Sequence, residues 1–285
     1  MDKTNYGPVT ILPAISKVFE KCLCPQLTSY FETVFPPTLT DYRKNHSCCT
    51  TLRRTEDWKT EADLNNIIGA TLIDLSKAFD RLPHNLLLEK LPAYGVNPES
   101  LELLTNYVTN RTQCVRLGNT CSTTGKLTSG VPQGSVLGPH LFHIFINYLF
   151  YNIKKAKISA YADDKQFYFS NANARIVEKT LNSELAVVSS WITDNGLLLN
   201  PEKCKSLIFR RTNSKHNQTE EEKINFSVEG TLIEPSTTCK LLGVHIDERL
   251  NFNNHVASIC KKISKQIAVI SRFRKLLSIQ TKLTL

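Results

Sequence analysis

No uninterrupted apolar run in these 285 residues reaches the roughly 20 needed to cross a bilayer as a helix, and no signal-peptide pattern opens the chain. The expected protein is soluble and intracellular, in the cytoplasm or nucleus, with no membrane partner. Nor does any C-x-x-C spacing occur among the cysteines Cys22, Cys24, Cys48, Cys49, Cys114, Cys121, Cys204, Cys239 and Cys260, which excludes a zinc knuckle of that spacing. Their odd count, without a secretory signal, argues against a disulfide framework and for a reducing compartment in which the thiols mostly pack as small hydrophobes. Acidic residues are missing from everything beyond Glu248, a stretch that holds Arg249, Lys261, Lys262, Lys265, Arg272, Arg274, Lys275 and Lys282. Such a run is either a solvated helix face or a surface for a phosphate backbone. There is no internal repeat.

What is present is an ordinary globular composition with a net charge of +9 and a pI near 9.1. The length buries a full core and allows one large domain or two small ones. Excess positive charge favours an anionic partner without fixing the fold.

Ile15, Val18, Phe19, Leu23, Leu27 and Phe31 recur at helical spacing behind Pro13, which predicts a core-facing helix over Ala14 to Phe31. Phe35-Pro36-Pro37 ends it, and a polar loop carrying Arg43 and Lys44 leads into a helix from Cys49 to Leu64. Arg43 is either a surface charge or a forked guanidinium suited to bidentate phosphate contact. Ile67 to Leu75 reads as a buried central strand whose first charge, Asp74, stands at its carboxyl end. A carboxylate there is either a metal ligand on a rigid support or a helix N-cap.

Further on, helices are expected over His84 to Ala93, Pro98 to Asn110 and Leu141 to Phe150, with a hairpin turned at Gly118-Asn119. Ahead of the third helix, Ser129 to Pro139 packs three glycines and two prolines into a loop that lets backbone approach a ligand closely. Ile176 to Trp191 reads as a helix ended by Asn195-Gly196, and Leu197 to Phe209 as a turn carrying Lys203 and Lys205 into a strand. Asn213 to Glu222 is expected to be an exposed, mobile loop, and Ile224 to Val228 and Lys240 to Ile246 to be strands. A final helix sets Val256, Ile259, Ile263, Ile267, Ile270 and Leu277 on one stripe, with its cations on the others.

Ser159 to Phe169 has the pattern of a β-hairpin, with Tyr161-Ala162-Asp163-Asp164 at its tip. Two unit charges about 4 Å apart repel by roughly 4 kcal/mol at an effective dielectric of about 20, so adjacent carboxylates favour a divalent cation beside them. Alone, the pair reads as a solvated turn. A third carboxylate, Asp74, would make it a metal site.

Asp74, the Pro132-Gln133-Gly134 loop, the Tyr161 to Asp164 tip and the Lys203 turn follow one another in the order of polymerase palm motifs A to D, and the chain resembles a reverse transcriptase. More narrowly, Ile73 to Asp80, Gly130 to Pro139 and Leu241-Leu242-Gly243-Val244 look like the non-LTR retrotransposon enzymes of the LINE, jockey-like kind. The resemblance implies an α+β fold of right-hand polymerase architecture, whose palm is an antiparallel sheet with packed helices. It divides the chain into partial fingers (1–70), a palm with an interleaved fingers segment (71–246, the reverse transcriptase domain overall being about 7–246) and the start of a thumb (247–285), truncated at both ends.

The activity implied is RNA-directed DNA synthesis, with an RNA template, a DNA primer and deoxynucleoside triphosphates as partners. The alternative is a fragment that keeps only nucleic-acid binding. By the same resemblance, Asp74, Asp163 and Asp164 would hold two Mg²⁺ ions, with Mn²⁺ as an alternative, and Lys203 would donate a proton to pyrophosphate. Arg43 would grip the triphosphate, Gln133 would orient nucleotide and template, and Phe79 would exclude a ribose 2′-hydroxyl, with Leu75 and Tyr161 beside the nucleotide. A core aromatic is the other reading of Phe79. Gly243 would belong to the primer-grip hairpin, and Lys261, Lys262, Lys265, Arg272 and Lys275 would follow the nucleic-acid backbone.

Overall fold

The strand β1 (Ile67–Ile73) carries no charge because both of its faces are covered. It is central in a four-stranded antiparallel sheet ordered β6-β7-β1-β8, with β6 (Lys157–Tyr161), β7 (Asp164–Asn171) and β8 (Lys205–Phe209). Alternation sorts the side chains. Ile73, Phe167 and Ile208 join the larger core, while Ile68, Ala70, Tyr168, Leu207 and Phe209 join a second one on the opposite face. In this computed structural model, residues 10–162, 164–210, 223–273 and 280 are described. Gly7, Asp163, Lys275, Leu277 and the expected loop 213–222 lie outside them.

Helices α5 (His84–Ala93), α6 (Pro98–Val108), α7 (Gly138–Asn152) and α8 (Ala174–Asp194) build the larger core. Asn173 caps α8 by accepting from the Arg175 and Ile176 N–H groups, and Gly196, at φ +71°, lies just beyond its end. A hairpin of β9 (Phe226–Val228) and β10 (Thr231–Ile233) packs on the same helix. Gly69 permits this, since a Cβ there would lie 2.5 Å from the Phe226 ring and 2.9 Å from Val177. The second core centres on Trp58 of α3 (Arg54–Asp63), whose ring meets Phe209 at 4.8 Å and Tyr168 at 5.7 Å. Against it lies the hairpin of β11 (Thr238–Leu241) and β12 (Val244–Asp247).

Several expectations need correction. The helix α1 (Ala14–Phe31) forms as expected, but Ile15, Val18 and Phe19 are exposed while Glu20 is fully buried; only its second half faces the core, through Leu23, Leu27 and Phe31. Cys49 to Leu64 is not one helix, because α2 (Cys48–Leu52) ends at Arg53, where α3 begins. Lys240 to Ile246 is not one strand, because Leu242 and Gly243 both take positive φ, +46° and +87°, and turn β11 back into β12. Nor do the thiols mostly pack inside: Cys204 and Cys239 are buried, whereas Cys22, Cys49, Cys114, Cys121 and Cys260 are exposed.

The hairpin turned at Gly118-Asn119 does form, in two short ladders, β2 (Thr112–Gln113) with β5 (Gly125–Lys126) and β3 (Arg116–Leu117) with β4 (Thr120–Cys121). The last helix, α9 (Asn253–Arg272), buries no residue. Among the described residues no helix is long and apolar enough to cross a membrane.

Candidate active site

Register brings the first two acidic residues together. Ile73 pairs with Lys165, so Asp74 and Asp164 are the next residues on adjacent antiparallel strands. Alternation directs both toward the face that carries Ala70 and Tyr168. Asp74 is half-buried and Asp164 exposed. Asp163, the third carboxylate, lies outside the described residues, among which no cluster of three metal-ligating side chains is complete.

The chain around Asp74 is pinned from a distant segment. Ser76 N–H donates to the Leu198 carbonyl at 2.8 Å, Asn200 N–H donates to the Asp74 carbonyl at 3.0 Å, and buried Leu75 bridges Leu199. A single 3₁₀ turn, Pro201–Lys203, follows, and it leaves Lys203 exposed close to this strand end. Beside it the buried Cys204 thiol is pushed up by burial, with the Asp74 backbone acting against the shift.

At the hairpin tip Ala162 takes φ +54°, a conformation unfavourable for a residue with a Cβ. Beside it stands Asp41, whose buried carboxylate lies 2.6 Å from His143 Nε2 on α7 and whose ionised form the Ala162 backbone favours. The buried Lys165 ammonium donates to the Ala162 carbonyl at 3.2 Å and lies 5.2 Å from the Phe142 ring centre. The Cys48 thiol beside Tyr161, together with burial and the charge of Asp41, pushes its hydroxyl up to about 12.

The glycine-rich loop closes the site from the other side. Gly130 N–H donates to Leu82 and Val131 N–H to Phe79, both at 2.8 Å, and Ser129 Oγ donates to the Asp80 carbonyl at 3.2 Å. Gly130, at φ +82°, is required here because a Cβ would stand 2.6 Å from the Asp80 carbonyl oxygen. Gln133 Nε2 then donates to Asp80 Oδ1 at 2.8 Å. Phe79, on the short helix α4 (Ala78–Arg81), is half-buried with its ring 4.8 Å from that of Phe142.

Arg43 does not offer the expected fork. Its side chain is 7% exposed; Nε and Nη2 bond the Glu32 carboxylate, and Nη1 donates to the Pro36 and Leu39 carbonyls at 2.6 and 2.7 Å. In this structure the guanidinium is thus engaged by Glu32 at the end of α1 and by the backbone of its own loop. Gly243 sits at an open hairpin tip, and Lys261, Lys262, Lys265 and Arg272 are exposed on α9. Sequence reasoning does not single out Glu20, Asp41, Asp80 or His143 as contributors to the site. Asp80 ends the Ile73 to Asp80 stretch without a role of its own there, the other three are polar in otherwise unremarkable segments, and the partner of each lies far away in sequence.

A family model described as reverse transcriptase (RNA-dependent DNA polymerase) matches residues 2–246. The chain belongs to the reverse transcriptase family. Among the relatives of this reverse transcriptase domain are the probable RNA-directed DNA polymerase from transposon BS of Drosophila melanogaster, 27% identical over 99% of this chain and 31% of its own length, and the RNA-directed DNA polymerase from mobile element jockey of the same fly, 28% identical over 95% and 30%. The jockey-like, non-LTR resemblance is thereby shown, and the chain spans about a third of the length of the curated relatives it matches. Among solved structures, apo telomerase from Candida tropicalis superposes with a TM-score of 0.56 at 13% identity, over 83% of this chain and 44% of that one. That likeness shows the fold: mixed helix and antiparallel sheet of the polymerase kind.

Proposed function

We propose that this reverse transcriptase domain is an RNA-directed DNA polymerase that extends a DNA primer on an RNA template by two-metal nucleotidyl transfer, in the cytoplasm or nucleus. The observation that carries the reading is the register that brings Asp74 beside Asp164 at one end of the sheet, flanked by the Gln133 loop and the Lys203 turn. Partial fingers (1–70), palm (71–246) and the start of a thumb (247–285) are the divisions that go with it.

The donor set fits a hard divalent cation. Carboxylate oxygens are the ligands Mg²⁺ prefers, with Mn²⁺ next, and two of them already lie on adjacent strands at the sheet's end. Asp74, Asp163 and Asp164 would hold the ions. When bound, Mg²⁺ makes the primer 3′-hydroxyl more acidic and offsets charge on the departing pyrophosphate.

The chain's own side chains do the rest. Gln133, fixed by Asp80, orients the incoming deoxynucleotide against the template. Phe79, backed by Phe142, limits space at the sugar 2′ position, with Leu75 and Tyr161 beside it. Lys203 delivers a proton to pyrophosphate. The tip at Gly243 bears on the primer, α9 lays Lys261, Lys262, Lys265 and Arg272 along the phosphate backbone, and Lys275, outside the described residues, is a further backbone cation.

Primer extension on poly(rA)/oligo(dT) with Mg²⁺ tests this. Extension by the parent, abolished in Asp74→Asn and Asp163→Asn with the fold unchanged by circular dichroism, is the expected result. Undiminished extension in either variant overturns the metal roles.

A further inference from the structure

In the first half of α1 the inward-facing residue is an acid. Ile15, Val18 and Phe19 are exposed, while Glu20 is fully buried. Its Oε1 accepts from the Tyr107 hydroxyl of α6 at 2.9 Å, and its Oε2 accepts from the Val136 N–H at 2.5 Å. Val136 lies three residues after Gln133, in the glycine-rich loop just ahead of α7. Burial, together with the hydrogen bond and charge of Glu20, pushes the Tyr107 hydroxyl well above its ordinary range, so its proton stays in place as the donor. Next to Val136, Ser135 Oγ accepts from the Gly138 N–H at 3.0 Å.

A buried carboxylate is a costly way to join two helices, since an apolar side chain of similar volume would pack there without the desolvation penalty. What an oxygen acceptor supplies there, and an apolar side chain cannot, is a directional bond for a loop N–H. Beyond its backbone anchors at Gly130 and Val131, the loop is thereby held on both sides of Gly134. Asp80 fixes the Gln133 amide from the α4 side, and Glu20 fixes Val136 from α1, with Gly134 at φ +93° as the joint between them.

We propose that Glu20 is a positioning residue for the Gln133 loop, through which helix α1 sets how the incoming deoxynucleotide is seated. This rests on the polymerase reading above. It also gives α1 a task its apolar spacing does not suggest: alignment of a loop that contacts substrate.

Glu20→Leu and Glu20→Gln separate positioning from packing, because both fill the site but only Gln keeps an acceptor for Val136. Amide exchange over residues 131–138 and the KM for deoxynucleotide, measured separately from kcat and from primer–template affinity, are the readouts. Glu20→Leu is expected to speed exchange in the loop and to raise KM by roughly tenfold or more, the loss typical of one charge-assisted bond, with primer–template affinity unchanged. Glu20→Gln is expected to stay near the parent on both. Parent-like exchange and KM in Glu20→Leu overturn the proposal. Should that variant fail to fold, Tyr107→Phe decides: faster loop exchange supports positioning, and parent-like exchange overturns it. If the parent extends no primer, the polymerase reading falls, and exchange alone still decides whether Glu20 holds the loop.

Discussion

Two helices of nearly equal length, α8 with 21 residues and α9 with 20, carry the same kind of apolar stripe and meet opposite fates. In α8, Val177, Leu181, Leu185, Val188 and Ile192 are wholly removed from solvent against α7, the sheet and β9. In α9, Val256, Ile259, Ile263, Ile267 and Ile270 stay between 38% and 56% exposed. Apolar spacing therefore fixes that a segment is helical and which side is greasy, but not whether anything covers that side. The charges differ as well: α8 mixes Glu178 and Glu184 with its cations, whereas α9 has cations only. One helix is held by packing, and the other projects a basic surface.

That contrast can be broken at its strong end first. Leu185→Ala is expected to destabilise the fold by about 2–5 kcal/mol, as loss of a large buried side chain does, read as a lower urea midpoint. Next comes a titration. Burial would raise Asp41, but the hydrogen bond and charge of His143 and the Ala162 backbone outweigh it, so its carboxyl is held below the ordinary 3.8. A depressed carboxyl contributes stability that is whole above pH 3.8 and is lost as pH falls through the lower folded value. Asp41→Asn should flatten the decline of unfolding free energy across that acid range. A decline as steep as the parent's would detach Asp41 from acid stability.

At the weak end, Ile263→Ala in α9 is expected to change the urea midpoint by no more than about 0.5 kcal/mol in equivalent stability, because among the described residues it stays 47% exposed. A loss comparable to that of Leu185→Ala would mean that α9 has a covered face after all. Last is a change in binding with no change in stability. The triple variant Lys261→Ala, Lys262→Ala, Lys265→Ala should leave unfolding untouched. It should also flatten the log–log salt dependence of hybrid-duplex affinity by roughly 0.7–0.9 for each phosphate that is no longer neutralised. An unaltered slope would leave those lysines solvated and away from the duplex.

The central strand, the acidic hairpin and the glycine-rich loop are legible in the sequence because each is local. An uncharged β-rich run ending in Asp74, paired acids between apolar arms, and glycines beside prolines all state their shape within ten or so residues. What escapes is partnership. Arg43 looks like a phosphate fork because Glu32, eleven residues upstream, gives no sign that it will fold back onto it. Glu20 and Asp41 look like surface acids because Val136 and His143 are more than a hundred positions away, and a charge is buried only where such partners wait. The covered side of α1 is misjudged for the same reason. Ile15, Val18 and Phe19 are as apolar as Leu23 and Leu27, and only the docking of α6 and α7 decides between them.

The position of β1 in the sheet has a consequence for synthesis of the chain. Ile67–Ile73 leaves the ribosome well before its neighbours Asp164–Asn171 and Lys205–Phe209. Throughout that interval the central strand of the sheet has neither ladder partner, and even after the first has paired, its other edge stays open. Pairings so distant in sequence close slowly. The pieces that set Asp74 against Asp164 thus wait for a distant partner, the pairing with Lys205–Phe209 waits longer still, and a chain released before Lys205 would carry an unpaired hydrophobic edge in place of a closed sheet.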